Sequence, residues 1–381
     1  MDLGVYVQVP FCQTKCTYCN FHTGVVSNDR YQPYADAVCR EIQASALAAS
    51  AVDTVYFGGG TPSLLDPESL RKILVTLREK CCMDFREVTL EADPETITSA
   101  KASGWLAAGF NRISLGVQSF SDRELQATGR LHRRTDIYQA VRCLRDAGFG
   151  NISMDLIAGL PHQTHESWKS SLGDLLGVHP EHVSIYMLEI DEESRLGKES
   201  LSGGGRYGAS AIPSDDLMAE FYELACVQLR TEGYEHYEIS NWGLPGRRSQ
   251  HNLKYWRREP YAGFGAGSHS FDGCRRWANV HDAARYLECI EKGVSPCEKS
   301  EVVSSEQALE EEFFLGLRQL DGVDLARIEH DYAVHSDRLA SLRGRINRLN
   351  SQGLVDLEGM RLRLVPDRLT ISNEVFVELL G

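Results

Sequence analysis

The chain has 381 residues, of which 42% are hydrophobic and 25% charged, and its formal net charge is −14. It is too long for one small core, so a large domain with a smaller appendage is expected. The acidity argues against nucleic acid as the main partner, since phosphate binding needs a basic face. No apolar run reaches the roughly 20 residues of a membrane span, and the start, MDLGVYVQVPFC, lacks the basic-then-apolar order of a signal peptide.

In chain order, Val5, Val7 and Val9 alternate and predict a strand over residues 3–9. A helix is expected over 31–49. Asp53–Phe57 reads as a second strand, stopped by Gly58-Gly59-Gly60. Pro67 opens a helix after Asp66. Further strands are predicted at Arg86–Leu90, Arg112–Val117, Asn151–Leu156 and His182–Leu188, separated by helices that end near Gly109 and Gly148 or start near Thr164. Six strands alternating with helices predict a parallel sheet of right-handed βα units, either doubly wound or a complete or partial barrel.

The Gly/Ser-rich stretch 197–213 is expected to be a mobile loop. A helix (214–232) and a short strand (234–240) follow. Beyond residue 300 the pattern changes to amphipathic helices at Glu306–Leu320 and Arg338–Asn350, then an alternating run over 353–365 around Glu358-Gly359, the mark of a hairpin. This predicts three parts: an α/β body over 1–190, an extension over 191–300, and a helical, winged-helix-like domain over 301–381. The arginines at 247, 248, 257 and 258 form a basic stripe that could meet a carboxylated small molecule.

Eleven cysteines at uneven spacing, without an export signal, are expected to stay reduced in a cytoplasmic protein. Cys12, Cys16 and Cys19 stand out as Cys-x3-Cys-x2-Cys directly after the first strand. Thiolates so spaced suit an iron–sulfur cluster. Three ligands leave one iron of a [4Fe-4S] cubane open to an amino and carboxylate group. A zinc site with His22 as fourth ligand is the alternative. Cys39, Cys81, Cys82 and Cys143 are expected to play no part.

In barrels and open α/β sheets, ligands bind beyond the carboxyl ends of the strands. The cysteine loop ends strand one, and Gly58-Gly59-Gly60-Thr61-Pro62 ends strand two. Glu91 and Gln118 end strands three and four, and Asp155 lies near the end of strand five. The glycines would let backbone groups approach a ligand closely; a bulky residue at Gly59 or Gly60 should then block the ligand and spare the cluster. The carboxylates suit a cation or ribose hydroxyls, or else form surface ion pairs.

These motifs resemble the radical-SAM superfamily, and more narrowly the oxygen-independent coproporphyrinogen III oxidase family with its haem-chaperone branch, HemW. The resemblance covers nearly the whole chain. It implies a partial (β/α)6, TIM-like barrel with an added C-terminal domain, a [4Fe-4S] cluster on Cys12, Cys16 and Cys19, and S-adenosylmethionine. By residue-to-residue correspondence, Tyr6, Gly59, Gly60, Thr61, Glu91, Gln118, Arg130 and Asp155 match positions that contact S-adenosylmethionine, and Tyr18 an aromatic position beside the cluster.

The oxidase branch has a further cysteine where this chain has Phe21, and a long arm where only eleven residues precede Cys12. Both departures put coproporphyrinogen decarboxylation in doubt. His251-Asn252-Leu253-Lys254-Tyr255-Trp256 matches the H-N-x-x-Y-W motif of the haem-chaperone branch, which implies haem binding with His251 as an axial ligand. The residues alone equally allow a loop in which His251 and Asn252 cap the backbone. His269 and His281 read as structural. The resemblance implies a haem chaperone that needs a reductant for its cluster and a haem-acceptor protein. The other readings are a coproporphyrinogen oxidase and a radical-SAM RNA-modifying enzyme.

Overall fold

In the computed structural model, residues 2–47, 51–81 and 85–380 are described; Cys82 and the end of the helix expected over 31–49 fall outside them. Six strands form the body: β1 (Leu3–Val9), β2 (Val52–Gly59), β3 (Glu87–Ala92), β4 (Arg112–Gln118), β5 (Ile152–Ala158) and β6 (His182–Met187). They lie side by side in chain order, all parallel. Tyr6 pairs with Tyr56, Tyr56 with Thr89, and Thr89 with Arg112, so one register sets one layer of side chains.

The two faces of the sheet differ in chemistry. Val5, Val7, Val9, Val55, Phe57, Ile113 and Leu115 point to one side and are fully buried. They share a core with Tyr34, Leu70, Trp105, Ile137 and Trp168 from the covering helices. Burying each such side chain contributes about 1.5–3 kcal/mol. The other face carries Tyr6, Thr54, Tyr56, Glu91, Arg112, Ser114 and Asp155. Glu91 of β3 interacts with Tyr6 of β1 and with Tyr186 of β6, a reach that only a curved sheet allows. The polar face therefore lines a chamber.

Two groups of shorter strands extend the same sheet. β7 (Glu235–Glu238) and β8 (Asn241–Gly243) form a hairpin beyond β6. β9 (Tyr261–Phe264), β10 (His269–Phe271), β11 (Arg275–Asn279) and β12 (Cys297–Val302) continue it beyond β1, with β9 parallel to β1. The sheet has twelve strands and stays open, ending at β12 and β7. Every residue of β12 is exposed.

Four expectations need correction. The helix after β1 is shorter, Tyr31–Ala44. The strand expected over 234–240 is the hairpin β7–β8. Residues 197–213 are not an open loop: they form a helix (Arg195–Leu201) and a 3-10 segment (Arg206–Ala211). Leu196 and Ala209 bury against Ile157, Leu160, Leu188 and Met218, so packing overrides the Gly/Ser composition. Half of the arginine stripe is taken up in ion pairs: Arg258 pairs with Glu311 at 2.8 Å and Arg248 with Asp321 at 3.2 Å, while Arg247 and Arg257 are exposed.

The C-terminal part holds a small antiparallel sheet of β13 (Val323–Asp324), β14 (Val355–Glu358) and β15 (Arg361–Leu364), in the order β13-β15-β14. Gly359, at φ +60°, makes the hairpin turn between the last two. Helices Ser305–Gly316, Leu325–Asp331, Ser336–Ser351 and Ser372–Leu380 pack around it. The backbone amide of Leu320 donates to Tyr237 O at 3.0 Å, and Arg318 lies over the Trp256 ring at 4.6 Å.

Candidate cluster and nucleotide site

The cysteine loop leaves β1 at the rim of the chamber and is pinned by backbone bonds. Cys12 N–H donates to Gly24 O at 3.0 Å, and Thr61 N–H donates to Phe11 O at 2.7 Å. Thr17 is held on both sides, by Thr128 O at 3.0 Å and by Leu196 N–H at 2.8 Å. The segment after β6 thus closes over the loop, and Tyr18 packs on its small apolar cluster. Gly60 is dictated by this crowding. A Cβ there would strike the Phe11 carbonyl and lie 3.0 Å from Cys12 Sγ. Gly59 is dictated by its backbone, at φ +111°.

Burial pushes the thiols of Cys12 and Cys19 up, so they need a cationic partner or a metal to ionise. Arg130 brings a cation to the remaining cysteine, with Nη1 3.5 Å from Cys16 Sγ. Burial opposes its own charge, but Asp93, Cys16 and Tyr18 overcome this and hold its pKa well above the ordinary value. Arg130 also pairs with Asp93 and donates to Gly116 O. Asp93 accepts from Thr61 Oγ1 at 3.0 Å. A polar chain, Thr61–Asp93–Arg130–Cys16, therefore ties the glycine loop to the cysteine loop.

Behind it stand the two carboxylates. Glu91 accepts from Tyr56 OH at 2.8 Å and from the Gly59 amide at 3.1 Å. Burial, with help from Asp155, pushes it up to about 7. Asp155 is pushed up to about 6 by burial, against the pull of Ser184 and Arg112. Gln118 ends β4 at φ +65°, a left-handed conformation costing about 1–2 kcal/mol that places its side chain beside Gly116.

Tyr18, Gly59, Gly60, Thr61, Gln118 and Arg130 thus lie around the rim with Cys12, Cys16 and Cys19; Glu91 and Asp155 stand behind it, and Tyr6 lies deeper in the chamber, stacked on Tyr56 with the His251 ring 6.4 Å away. Asp93, Tyr56 and Arg112 were not singled out from sequence. Asp93 was signalled by its place two residues after Glu91, at the end of the same strand. Tyr56 and Arg112 were signalled by their even register with Tyr6.

His251 is placed elsewhere. It lies on a helix, Gln250–Trp256, rather than on a loop, and is 1% exposed at the opposite, amino-terminal end of the strands. Its Nδ1 lies 3.0 Å from Thr54 Oγ1 and its Nε2 2.9 Å from Tyr255 OH. Burial, with Lys254 and Arg112, pushes its pKa down to about 3, so the ring is neutral. Both nitrogens are engaged, and neither is offered to an iron. The helix cap is Ser249, not His251 or Asn252.

The residues fit the two groups implied for this rim. A Cβ-free cradle at Gly60 lies against Phe11 and Cys12, and Arg130, whose Nε has no partner, turns its Nη1 toward Cys16. His22, the fourth ligand of the zinc alternative, turns to His281 instead, its ring centroid 4.2 Å from that ring.

Residues 6–175 match the model of the Radical SAM superfamily, and residues 303–366 that of the HemN C-terminal domain. The crystal structure of Escherichia coli coproporphyrinogen III oxidase (HemN) aligns with a TM-score of 0.86, covering 99% of this chain and 90% of that one, at 21% identity. Fold and rim together define a radical-SAM protein, a class that carries a [4Fe-4S] cluster and S-adenosylmethionine. Heme chaperone HemW of Bacillus subtilis is 33% identical over 382 residues, 99% of each chain. Its Mycobacterium tuberculosis H37Rv namesake is 34% identical over 385 residues, covering 99% of this chain and 95% of the relative. The chain belongs to the HemW family.

A cluster held by Cys12, Cys16 and Cys19 would supply an electron to a bound sulfonium ligand. The chain's own residues do the rest. Arg130 would place a cation beside Cys16, the Gly59–Thr61 backbone would leave room for the ligand, and Glu91 and Asp155 would offer carboxylates to its cationic group. No helix among the described residues is long and apolar enough to cross a membrane.

Proposed function

We propose that this chain is a haem chaperone: it binds haem and passes it to an acceptor protein, with the cluster and S-adenosylmethionine as resident cofactors. The observation that carries this reading is likeness along the whole chain, C-terminal part included, to relatives named heme chaperone HemW. Phe21, 65% exposed where the oxidase branch has a cysteine, supports it. In this reading the rim residues hold S-adenosylmethionine, and a cytoplasmic reductant serves the cluster.

The test is anaerobic reconstitution with iron and sulfide, followed by separate incubations with haemin and with coproporphyrinogen plus S-adenosylmethionine and a reductant. The expected result is a perturbed Soret band with haemin and no protoporphyrinogen. Robust decarboxylation without haem binding would replace the chaperone with the oxidase.

A further inference from the structure

Three histidines meet on the surface beside the cysteine loop, and neither the barrel core nor the rim site uses them. His22 follows Cys19 by three residues, His269 opens β10, and His281 follows β11; all three are exposed. The ring centroids of His22 and His281 are 4.2 Å apart, and those of His269 and His281 6.5 Å. Gly267, at φ +74°, leaves space beside His281: a Cβ there would come 3.1 Å from its Nδ1. Three imidazoles gathered in the open do little for a core. Partial desolvation, then the neighbouring rings, push His269 and His281 down, which favours the neutral, ligating form.

The surroundings narrow the ligand. Their spacing does not suit a lone ion, for which no three-ligand group exists among the described residues. An iron that brings its own four equatorial nitrogens needs only one or two axial imidazoles. Phe21 and Val25, 65% and 61% exposed, flank His22 in the chain and offer apolar surface. Lys299 lies within electrostatic reach of His269 and His281, and Arg276 within that of His269. A planar, apolar metal complex with an anionic edge matches this set.

We propose that His22, His269 and His281 form the docking site for haem iron, with the axial imidazole coming from the His22–His281 pair, Phe21 and Val25 against the macrocycle, and Lys299 toward the propionates. This rests on the haem-binding reading above. Binding exchanges a water on the iron for an imidazole nitrogen; no electron moves.

The experiment is an anaerobic haemin titration of the reconstituted full chain, followed at the Soret band, for the wild type and for the His22→Ala/His281→Ala double variant. The double variant should bind at least about tenfold more weakly, lose the shifted band, and regain it with added free imidazole. Its iron content and S-adenosylmethionine affinity should match the wild type, which also reports that it is folded. Iron-free protoporphyrin IX should bind both proteins alike and weakly. A double variant with wild-type haemin affinity and spectrum overturns this site and leaves the chaperone reading standing. A wild type that binds no haemin overturns both.

Discussion

Arg130 and Cys16 are 114 residues apart in sequence, yet the guanidinium Nη1 lies 3.5 Å from the thiol. The contact joins the turn after β4 to the loop after β1. Asp93 fixes the same guanidinium from β3's end.

Replacing Arg130 by Met should therefore do two things. It strands the Asp93 carboxylate, costing about 2–3 kcal/mol, toward the low side for a broken buried pair because Asp93 keeps 21% exposure. It also removes the guanidinium contact that ties the cysteine loop to the end of β3. The expected outcome is lower iron per chain after reconstitution and a lower denaturation midpoint. Arg130→Lys should recover part of the stability but not the contacts of a planar fork.

Gly60 and Gly59 should separate in a way the sequence did not suggest. Gly60→Val was expected to spare the cluster. The structure puts its new side chain against the Phe11 carbonyl and Cys12 Sγ, so cluster content should fall together with nucleotide binding. Gly59→Ala strains the backbone at φ +111° but meets only the flexible end of Gln8, so it should weaken the nucleotide more than the cluster. Iron analysis beside equilibrium dialysis of S-adenosylmethionine distinguishes the two; equal loss in both variants would refute the distinction.

The carboxylate pair gives a pH signature. Glu91 rises from 4.5 to about 7 and Asp155 from 3.8 to about 6, so the folded protein holds protons that the unfolded chain has released. Unfolding free energy from this pair thus falls as pH rises across that window. Compared with Glu91→Gln/Asp155→Asn, the wild type should lose thermal stability between about pH 4.5 and pH 7 without ligand. A cationic ligand favours the ionised pair, so S-adenosylmethionine affinity should rise over the same range in the wild type only. Parallel melting curves and binding isotherms check both signs.

His251→Ala should act on folding before it acts on haem. The ring is buried, with both nitrogens engaged by Thr54 and Tyr255. Its loss leaves a cavity and two unpaired hydroxyls, a cost of about 2–4 kcal/mol. Denaturant unfolding should show that loss, while haemin affinity of the folded variant stays close to wild type. A normal midpoint with an altered Soret band would return His251 to the role of ligand.

The body strands were legible because β1 and β4 alternate valine, isoleucine and leucine with small or polar residues, and β2 runs into Gly58-Gly59-Gly60. The rim residues were legible for the same reason: a strand's carboxyl end is a position in sequence. What local pattern hides is long-range packing. Leu196 and Ala209 sit among Gly and Ser, and only Tyr18, Ile157 and Met218, far away in sequence, turn their segment into a cover. β9, as Tyr-Ala-Gly-Phe, is too short to announce itself, and pairing with β1 makes it a strand. The placement of His251 was hidden because a histidine beside aromatics reads alike in a ligand loop and in a barrel floor; its bonds to Thr54 and Glu87 set that placement, and neither is near it in sequence.

The open sheet leaves a margin at β12, where Glu298, Lys299 and Glu301 put charge on both faces of a strand that is exposed along its whole length. A visiting polypeptide that tried to zip onto this margin would have to desolvate those charges, so backbone-to-backbone adhesion is discouraged there. The same strand carries Lys299 to the histidine patch. A protein arriving to collect cargo at that place would meet side chains rather than a vacant row of amides. It could touch, exchange and leave, which is what a carrier requires of its loading edge.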